Sequence, residues 1–326
     1  MTPLAERYRD RLPLAAGTPV ISLGEGSTPL LPAPRLGSRL GAELFLKWEG
    51  ANPTGSFKDR GMTVAVSQAL AEGARTVVCA STGNTAASAA AYAARAGLAA
   101  LVLQPAGAVA AGKVAQALAA GARLVEVRGR FEQVLAAARS LAERGGHVLV
   151  NSLNPHRLEG QKTAAFEIVE ELGGAPDVLA LPYGGGGNLC AYARGFAEVG
   201  AAMPRLVAAE AARRADTVAS AIRIPEPFHR EEAEAAVRAS DGSLVPLTDD
   251  EILAAWHDLA REEGIFCEPS SAAGIASLAR ERLPRGARVV CVLTGHGLKD
   301  PATVQRVART LPVADPDPDS IAEAAA

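Results

Sequence analysis

From Glu43 onward the chain alternates between short β-rich apolar runs and longer stretches rich in Ala, Leu, Glu and Arg. The short runs, at residues 44–48, 76–80, 99–103, 123–127, 147–150, 178–181, 205–208 and 288–293, are predicted strands. Stretches of helical length lie between most of them, at 62–71, 86–95, 112–119, 131–144, 160–172, 189–199, 249–262 and 271–280. Strands that alternate with helices in this way predict parallel sheets covered by helices, an α/β protein. Connections of that kind place ligand sites beyond the carboxyl ends of strands, where loops run into helix N-termini. No internal repeat is evident. Residues 211–246 are charged, carry Pro225 and Pro227 and show no clean periodicity, so they read as a surface excursion without an assigned function. The tail from Ala314 reads as frayed.

Composition narrows the functional classes. A chain of 326 residues suggests two domains, and 48% hydrophobic against 21% charged residues supplies a large core. The net charge of −3 argues against a nucleic-acid partner, which calls for a basic stripe. No apolar run free of Gly and charge is long enough to span a bilayer, and no segment resembles a signal peptide. Cys79, Cys190, Cys267 and Cys291 have no C-x-x-C spacing and lie in or beside apolar runs, which fits buried free thiols in a reducing cytoplasm. The five histidines lack ligand spacing, so no metal site is predicted.

Five lysines stand against twenty-eight arginines, which draws attention to Lys58 beside Phe57 in Ser56-Phe57-Lys58-Asp59-Arg60-Gly61. An ammonium can shed its proton and become a nucleophile, whereas a guanidinium effectively cannot. Lys47, Lys113, Lys162 and Lys299 show no comparable surroundings. Tyr183-Gly184-Gly185-Gly186-Gly187-Asn188 joins a predicted strand to a predicted helix. Four residues without side chains let backbone N–H groups converge on an anion at a helix N-terminus, and a phosphate is the natural occupant; the alternative is a flexible turn. Ser81-Thr82-Gly83-Asn84-Thr85 opens another helix and offers a second anion site, most simply for a carboxylate, or else an over-equipped cap. Thr294 in Thr294-Gly295-His296-Gly297 presents a hydroxyl at a strand end, either to a ring nitrogen of a ligand or as a plain turn. In Asn151-Ser152-Leu153-Asn154-Pro155-His156-Arg157, Arg157 is a candidate bidentate anion ligand, and His156 reads more readily as a surface residue or cap than as catalytic. The P-loop spacing from Gly107 to Val114 lacks the Mg²⁺-binding hydroxyl and predicts no nucleotide hydrolysis.

In order along the chain, Ser-Phe-Lys-Asp-Arg-Gly, Ser-Thr-Gly-Asn-Thr, Gly-Gly-Gly-Gly-Asn and Leu-Thr-Gly-His-Gly-Leu-Lys-Asp-Pro resemble pyridoxal-phosphate enzymes of the tryptophan synthase β fold. The similarity runs from Gly24 to Pro301, and residues 150–163 and 295–301 resemble the threonine synthases in particular. The resemblance implies two open, mostly parallel twisted sheets, with 50–150 as a smaller domain and 1–49 plus 151–326 as a larger one. It also implies pyridoxal 5'-phosphate as cofactor, a small phosphorylated amino acid as substrate and a homodimer. Lys58 resembles the lysine that holds the cofactor covalently and then moves protons, Phe57 the residue packed on its ring, and Asn84 the partner of its ring hydroxyl. Gly184, Gly185, Gly186, Gly187 and Asn188 resemble the phosphate cradle, and Thr294 the partner of the ring nitrogen. Ser81, Thr82 and Thr85 would hold the substrate's carboxylate or phosphate, with Asn151, Ser152 and Arg157 on its phosphate side. A Thr at the ring nitrogen would leave that nitrogen unprotonated and shift the burden of charge stabilisation onto positioned donors. A threonine or serine dehydratase is the nearest alternative, and a non-catalytic cofactor-binding protein a more distant one.

Overall fold

The computed structural model describes residues 2–107, 111–301, 303 and 312–325. The P-loop-like stretch therefore lies partly outside the described residues. Two sheets organise the molecule. The first takes β1 (Leu30–Pro32), β2 (Glu43–Trp48), β7 (Val178–Pro182), β8 (Arg205–Ala211), β9 (Ser243–Leu247) and β10 (Arg288–Leu293) in the order β1-β2-β10-β7-β8-β9. The second takes β3 (Thr76–Ala80), β4 (Ala99–Pro105), β5 (Arg123–Val127) and β6 (His147–Leu149) in the order β5-β4-β3-β6. Every pairing is parallel except the antiparallel β1–β2 pair at one edge. Central strands are buried on both faces, as in all of β7, whereas edge strand β5 is largely exposed.

This topology contains two switch points, and both matter. In the smaller sheet the chain moves outward from β3 through β4 to β5, then returns to the other side of β3 as β6. In the larger sheet it moves from β7 through β8 to β9, then returns beside β7 as β10. Where consecutive loops leave in opposite directions, a crevice opens beyond the carboxyl ends of the strands. The loops that follow β3 and β6 carry Ser81 and Asn151, and those that follow β7 and β10 carry Gly184 and Thr294. Each predicted turn thus stands at a crevice dictated by strand order.

Helix packing brings these crevices together. Helix Lys58–Ala71 crosses helix Pro155–Leu172 at Gly61 and Gly160, so closely that a Cβ on Gly160 would lie 2.0 Å from the Arg60 carbonyl oxygen. No side chain fits at that crossing. Beneath it, Arg60 donates to Glu49 and Glu167, and Lys47 pairs with Glu167 and Glu171. These contacts tie β2 and both helices into one buried polar network.

Three sequence expectations need correction. Residues 211–246 are not merely a surface excursion: they include the end of β8, helix Arg230–Ala239 and the start of β9, and their 220–228 portion lines the central cavity. Residues beyond Ala314 include the helix Pro318–Ala325. Lys299, read as having no special surroundings, also lines the central cavity. All four cysteines are free and buried.

Candidate active site

A cavity of about 580 Å³ lies between the two sheets. The loop before helix Lys58–Ala71 is laid against the chain that leaves β10. Phe57 N–H donates to the Thr294 carbonyl at 3.1 Å, His296 N–H donates to the Gly55 carbonyl at 2.9 Å, and Ser56 and Gly295 form an antiparallel bridge. Main-chain bonds therefore fix Lys58 relative to Thr294, although more than two hundred residues separate them. Lys58 Nζ lies 4.3 Å from the centre of the Phe57 ring and, among the described residues, forms no hydrogen bond or ion pair. Burial lowers its pKa from 10.5 to about 7, helped by the charge of Arg157 and partly opposed by Glu268. Near neutrality the amine is thus partly free base, the form that can attack a carbonyl or take a proton.

The Ser81 turn is held by Asn151. Its Oδ1 accepts from Ala80 N–H and its Nδ2 donates to the Ala80 carbonyl, both at 2.8 Å, continuing the β3–β6 pairing through a side chain. Ser81 Oγ accepts from Gly83 N–H at 3.2 Å. Helix Asn84–Ala96 then begins with no side-chain cap, which leaves its first N–H groups for a ligand. The over-equipped-cap alternative finds no support in that geometry.

On the opposite wall, Gly186 has φ of 87° and precedes helix Gly187–Glu198, which also lacks a side-chain cap. A Cβ on Gly186 would meet the His229 carbonyl oxygen at 2.9 Å, because residues 220–229 fold over the loop. His229 N–H donates to the Gly185 carbonyl at 3.0 Å, and His229 Nε2 lies 3.1 Å from the Ser152 carbonyl. Asn188 Nδ2 is buried there without a hydrogen-bond partner. A bare glycine turn, free first-turn amides and an orphaned amide nitrogen form a cradle suited to a phosphate. With an acceptor-free amine across the cavity, these residues fit pyridoxal phosphate.

Thr294 Oγ1 lies 2.9 Å from Ser271 Oγ, which in turn accepts from Gly295 N–H at 2.9 Å. A second serine thus sets the Thr294 hydroxyl. Phe57, Lys58, Ser81, Thr82, Asn84, Thr85, Asn151, Ser152, the four glycines, Asn188 and Thr294 all line the same cavity. Arg157 does not. It is fully buried behind the wall, where Nη1 donates to the Val150 carbonyl at 2.8 Å while Nε and Nη2 have no partner. Burial lowers its pKa to about 10, so it stays charged at neutral pH. His156 lies outside the lining, its main-chain N–H engaged by the Asn154 cap.

Sequence reasoning missed Glu268 and the 220–228 segment, both of which line the cavity. Burial raises the Glu268 pKa to about 7, with Asn84 and Lys299 partly opposing the shift. A carboxylate that interrupts the apolar run Ile265-Phe266-Cys267 and directly precedes a helical Pro269 was the available signal.

Comparison with known proteins agrees with this geometry. A profile of the family described as pyridoxal-phosphate dependent enzymes matches residues 21–295. The threonine synthase of Synechocystis sp. is 52% identical over 318 residues, spanning 91% of this chain and 83% of its own length. That of Halalkalibacterium halodurans is 49% identical over 319 residues, spanning 92% of this chain and 90% of its own. Among solved structures, a processed threonine deaminase from Solanum lycopersicum superposes with a TM-score of 0.75 at 22% identity, spanning 91% of this chain and 93% of its own, which shows a shared fold. By its family profile and by identity of about one half over nine-tenths of its length, the chain belongs to the threonine synthase family of pyridoxal-phosphate dependent enzymes.

Proposed function

We propose that this chain converts O-phospho-L-homoserine and water to L-threonine and phosphate. The observation that carries this reading is the acceptor-free Lys58 amine, which faces a cavity with two uncapped helix N-termini on its walls. One N-terminus suits the cofactor phosphate and the other an anionic group of the substrate. Gly184, Gly185, Gly186, Gly187 and Asn188 would hold the cofactor's phosphate, Asn84 its ring hydroxyl, Thr294 its ring nitrogen and Phe57 its ring face. When bound, the cofactor supplies an electron sink for the substrate carbons that lose protons. Lys58 would hold it covalently and would serve as the group that takes and returns protons. Its pKa of about 7 suits both roles, because general catalysis is most effective when the group's pKa lies near the working pH.

Ser81, Thr82 and Thr85 would bind the substrate carboxylate, with Asn151 organising their turn, while Ser152 and Arg157 form the phosphate side. Two unpartnered guanidinium nitrogens on buried Arg157 support the last assignment. The division into residues 50–150 and 1–49 with 151–326 belongs to this proposal, supported by the separate sheets; closure on the substrate would exclude water. A homodimer in the cytoplasm completes it.

Purified protein should release phosphate from O-phospho-L-homoserine in equal amount to L-threonine formed, and should not convert L-threonine to 2-oxobutyrate. A dehydratase would show the reverse. Arg157→Ala should raise KM for O-phospho-L-homoserine well beyond the effect of the surface control Arg139→Ala. Equal effects would remove the argument for a substrate-phosphate site.

A further inference from the structure

Glu268 stands immediately before helix Pro269–Leu278 but does not cap it. Its N–H donates to the Gly295 carbonyl at 3.0 Å, which pins its main chain to the loop that carries Thr294. Its carboxylate occupies space that only a glycine at 295 leaves open, since a Cβ there would lie 2.6 Å from Oε1. The residue is only 3% exposed and lines the cavity. Both carboxylate oxygens lie 3.2 Å from Asn84 Nδ2, reaching from one sheet's loops to the other's. Such a position has a chemical consequence. In its ionised form, present above a midpoint near 7, the carboxylate only accepts hydrogen bonds, so it selects the amino end of the Asn84 carboxamide and engages one of its two N–H groups. The second N–H remains for a ligand oxygen. Without Glu268 the carboxamide can turn over and present its oxygen instead, taking the N–H donor away from the same ligand atom.

We propose that Glu268 is a positioning residue for the reaction, locking the Asn84 carboxamide in the orientation that donates to the cofactor's ring hydroxyl. The proposal rests on the reading of Asn84 as the ring-hydroxyl partner. Glu268 acts through Asn84, so its removal and the removal of Asn84 must not add.

The test is a double-mutant cycle on the full chain, comparing wild type, Glu268→Ala, Asn84→Ala and the double variant. Titration of the apoprotein with pyridoxal phosphate gives the dissociation constant, and the spectrum of the loaded protein gives the absorption maximum. Each single variant should weaken binding by about tenfold, as expected for a hydrogen bond to a charged group, and the double variant should be no weaker than Asn84→Ala. Both singles should shift the absorption maximum in the same direction. Glu268→Gln, whose amide oxygen can still accept from Asn84, should stay within about threefold of wild type. Additive losses, or an unchanged dissociation constant in Glu268→Ala, would overturn the proposal. Should Glu268→Ala fail to fold, the similar-sized Glu268→Met decides: an about tenfold loss that does not add to that of Asn84→Ala supports the proposal, and retained affinity overturns it. Wild type separates this from the functional reading. If wild type does not bind pyridoxal phosphate, or if Asn84→Ala leaves its affinity unchanged, the reading of Asn84 falls and takes the proposal with it. If wild type binds, Asn84→Ala weakens that binding and Glu268→Ala does not, only the role of Glu268 falls.

Discussion

Lys58 and Arg60 stand two residues apart in the first turn of one helix, in opposite electrostatic surroundings. Arg60 meets Glu49 at 2.7 and 2.8 Å and Glu167 at 2.7 and 2.6 Å. Burial alone would lower its pKa, but the two carboxylates raise it well above the ordinary value. Glu167 responds in kind: burial would raise its pKa, yet Arg60, with Lys47 adding, brings it down to about 2. Lys58 has no such partner, and burial brings it down to about 7. The difference teaches a division of labour. Cations given carboxylates hold the helix between the sheets, and the cation denied one can exchange a proton. An unpaired buried amine is costly, and the paired network beside it is what keeps the helix in place despite that cost.

The comparison breaks most sharply at Lys58. Lys58→Ala should lower phosphate release from O-phospho-L-homoserine by about 10³-fold or more, since the nucleophile and the acid–base group vanish together. The apoprotein should melt at or above the wild-type temperature, because a costly unpaired buried amine is removed and no stabilising pair is lost. Calorimetry alongside the assay checks both halves, and a large fall in melting temperature would assign Lys58 a structural role. Arg60→Met should do the opposite. Removing one partner from a buried ion network costs about 3–5 kcal/mol, measurable by denaturant unfolding, and a loss under about 1 kcal/mol would show that the network is not holding the helix. The gentlest test uses pH. Covalent capture of pyridoxal phosphate by apoprotein should accelerate by about tenfold between pH 6 and pH 8, because a group with its midpoint near 7 is mainly protonated below and mainly free amine above. Stopped-flow absorbance measures it, and a midpoint near 10 would mean that Lys58 is as solvated as a surface lysine.

The same contrast explains what was legible from sequence. The predicted strands 76–80 and 288–293 have the bounds of β3 and β10, because nearly continuous apolar runs bounded by polar turns are a local signal; 123–127 also matches β5, there through β-branched residues between charged ones. The turns at Ser81, Gly184 and Thr294 were legible for a related reason: each follows such a strand directly. Helix Lys58–Ala71 begins four residues before the predicted stretch 62–71. In the fold Asp59 is buried by bonds from Thr54 and Ser88, and Arg60 by Glu49 and Glu167, the latter more than a hundred residues away. Local composition carries no trace of that pairing. β9 escaped because Pro246 interrupts it, which is tolerated only because β9 is the sheet's edge and pairs on one side. Glu268 and the 220–228 segment reach the cavity only through the order of the strands. A polar residue's function is hard to read when its partner is distant in sequence.

The most direct test of Lys58 is chemical. Protein loaded with pyridoxal phosphate should be reduced with borohydride, digested and mapped by mass spectrometry. The phosphopyridoxyl group is expected on the peptide that contains Lys58, in near-stoichiometric amount and absent from Lys58→Ala. A label on Lys299, the other lysine among the described residues that line the cavity, or no label on a protein that binds the cofactor, would contradict the assignment.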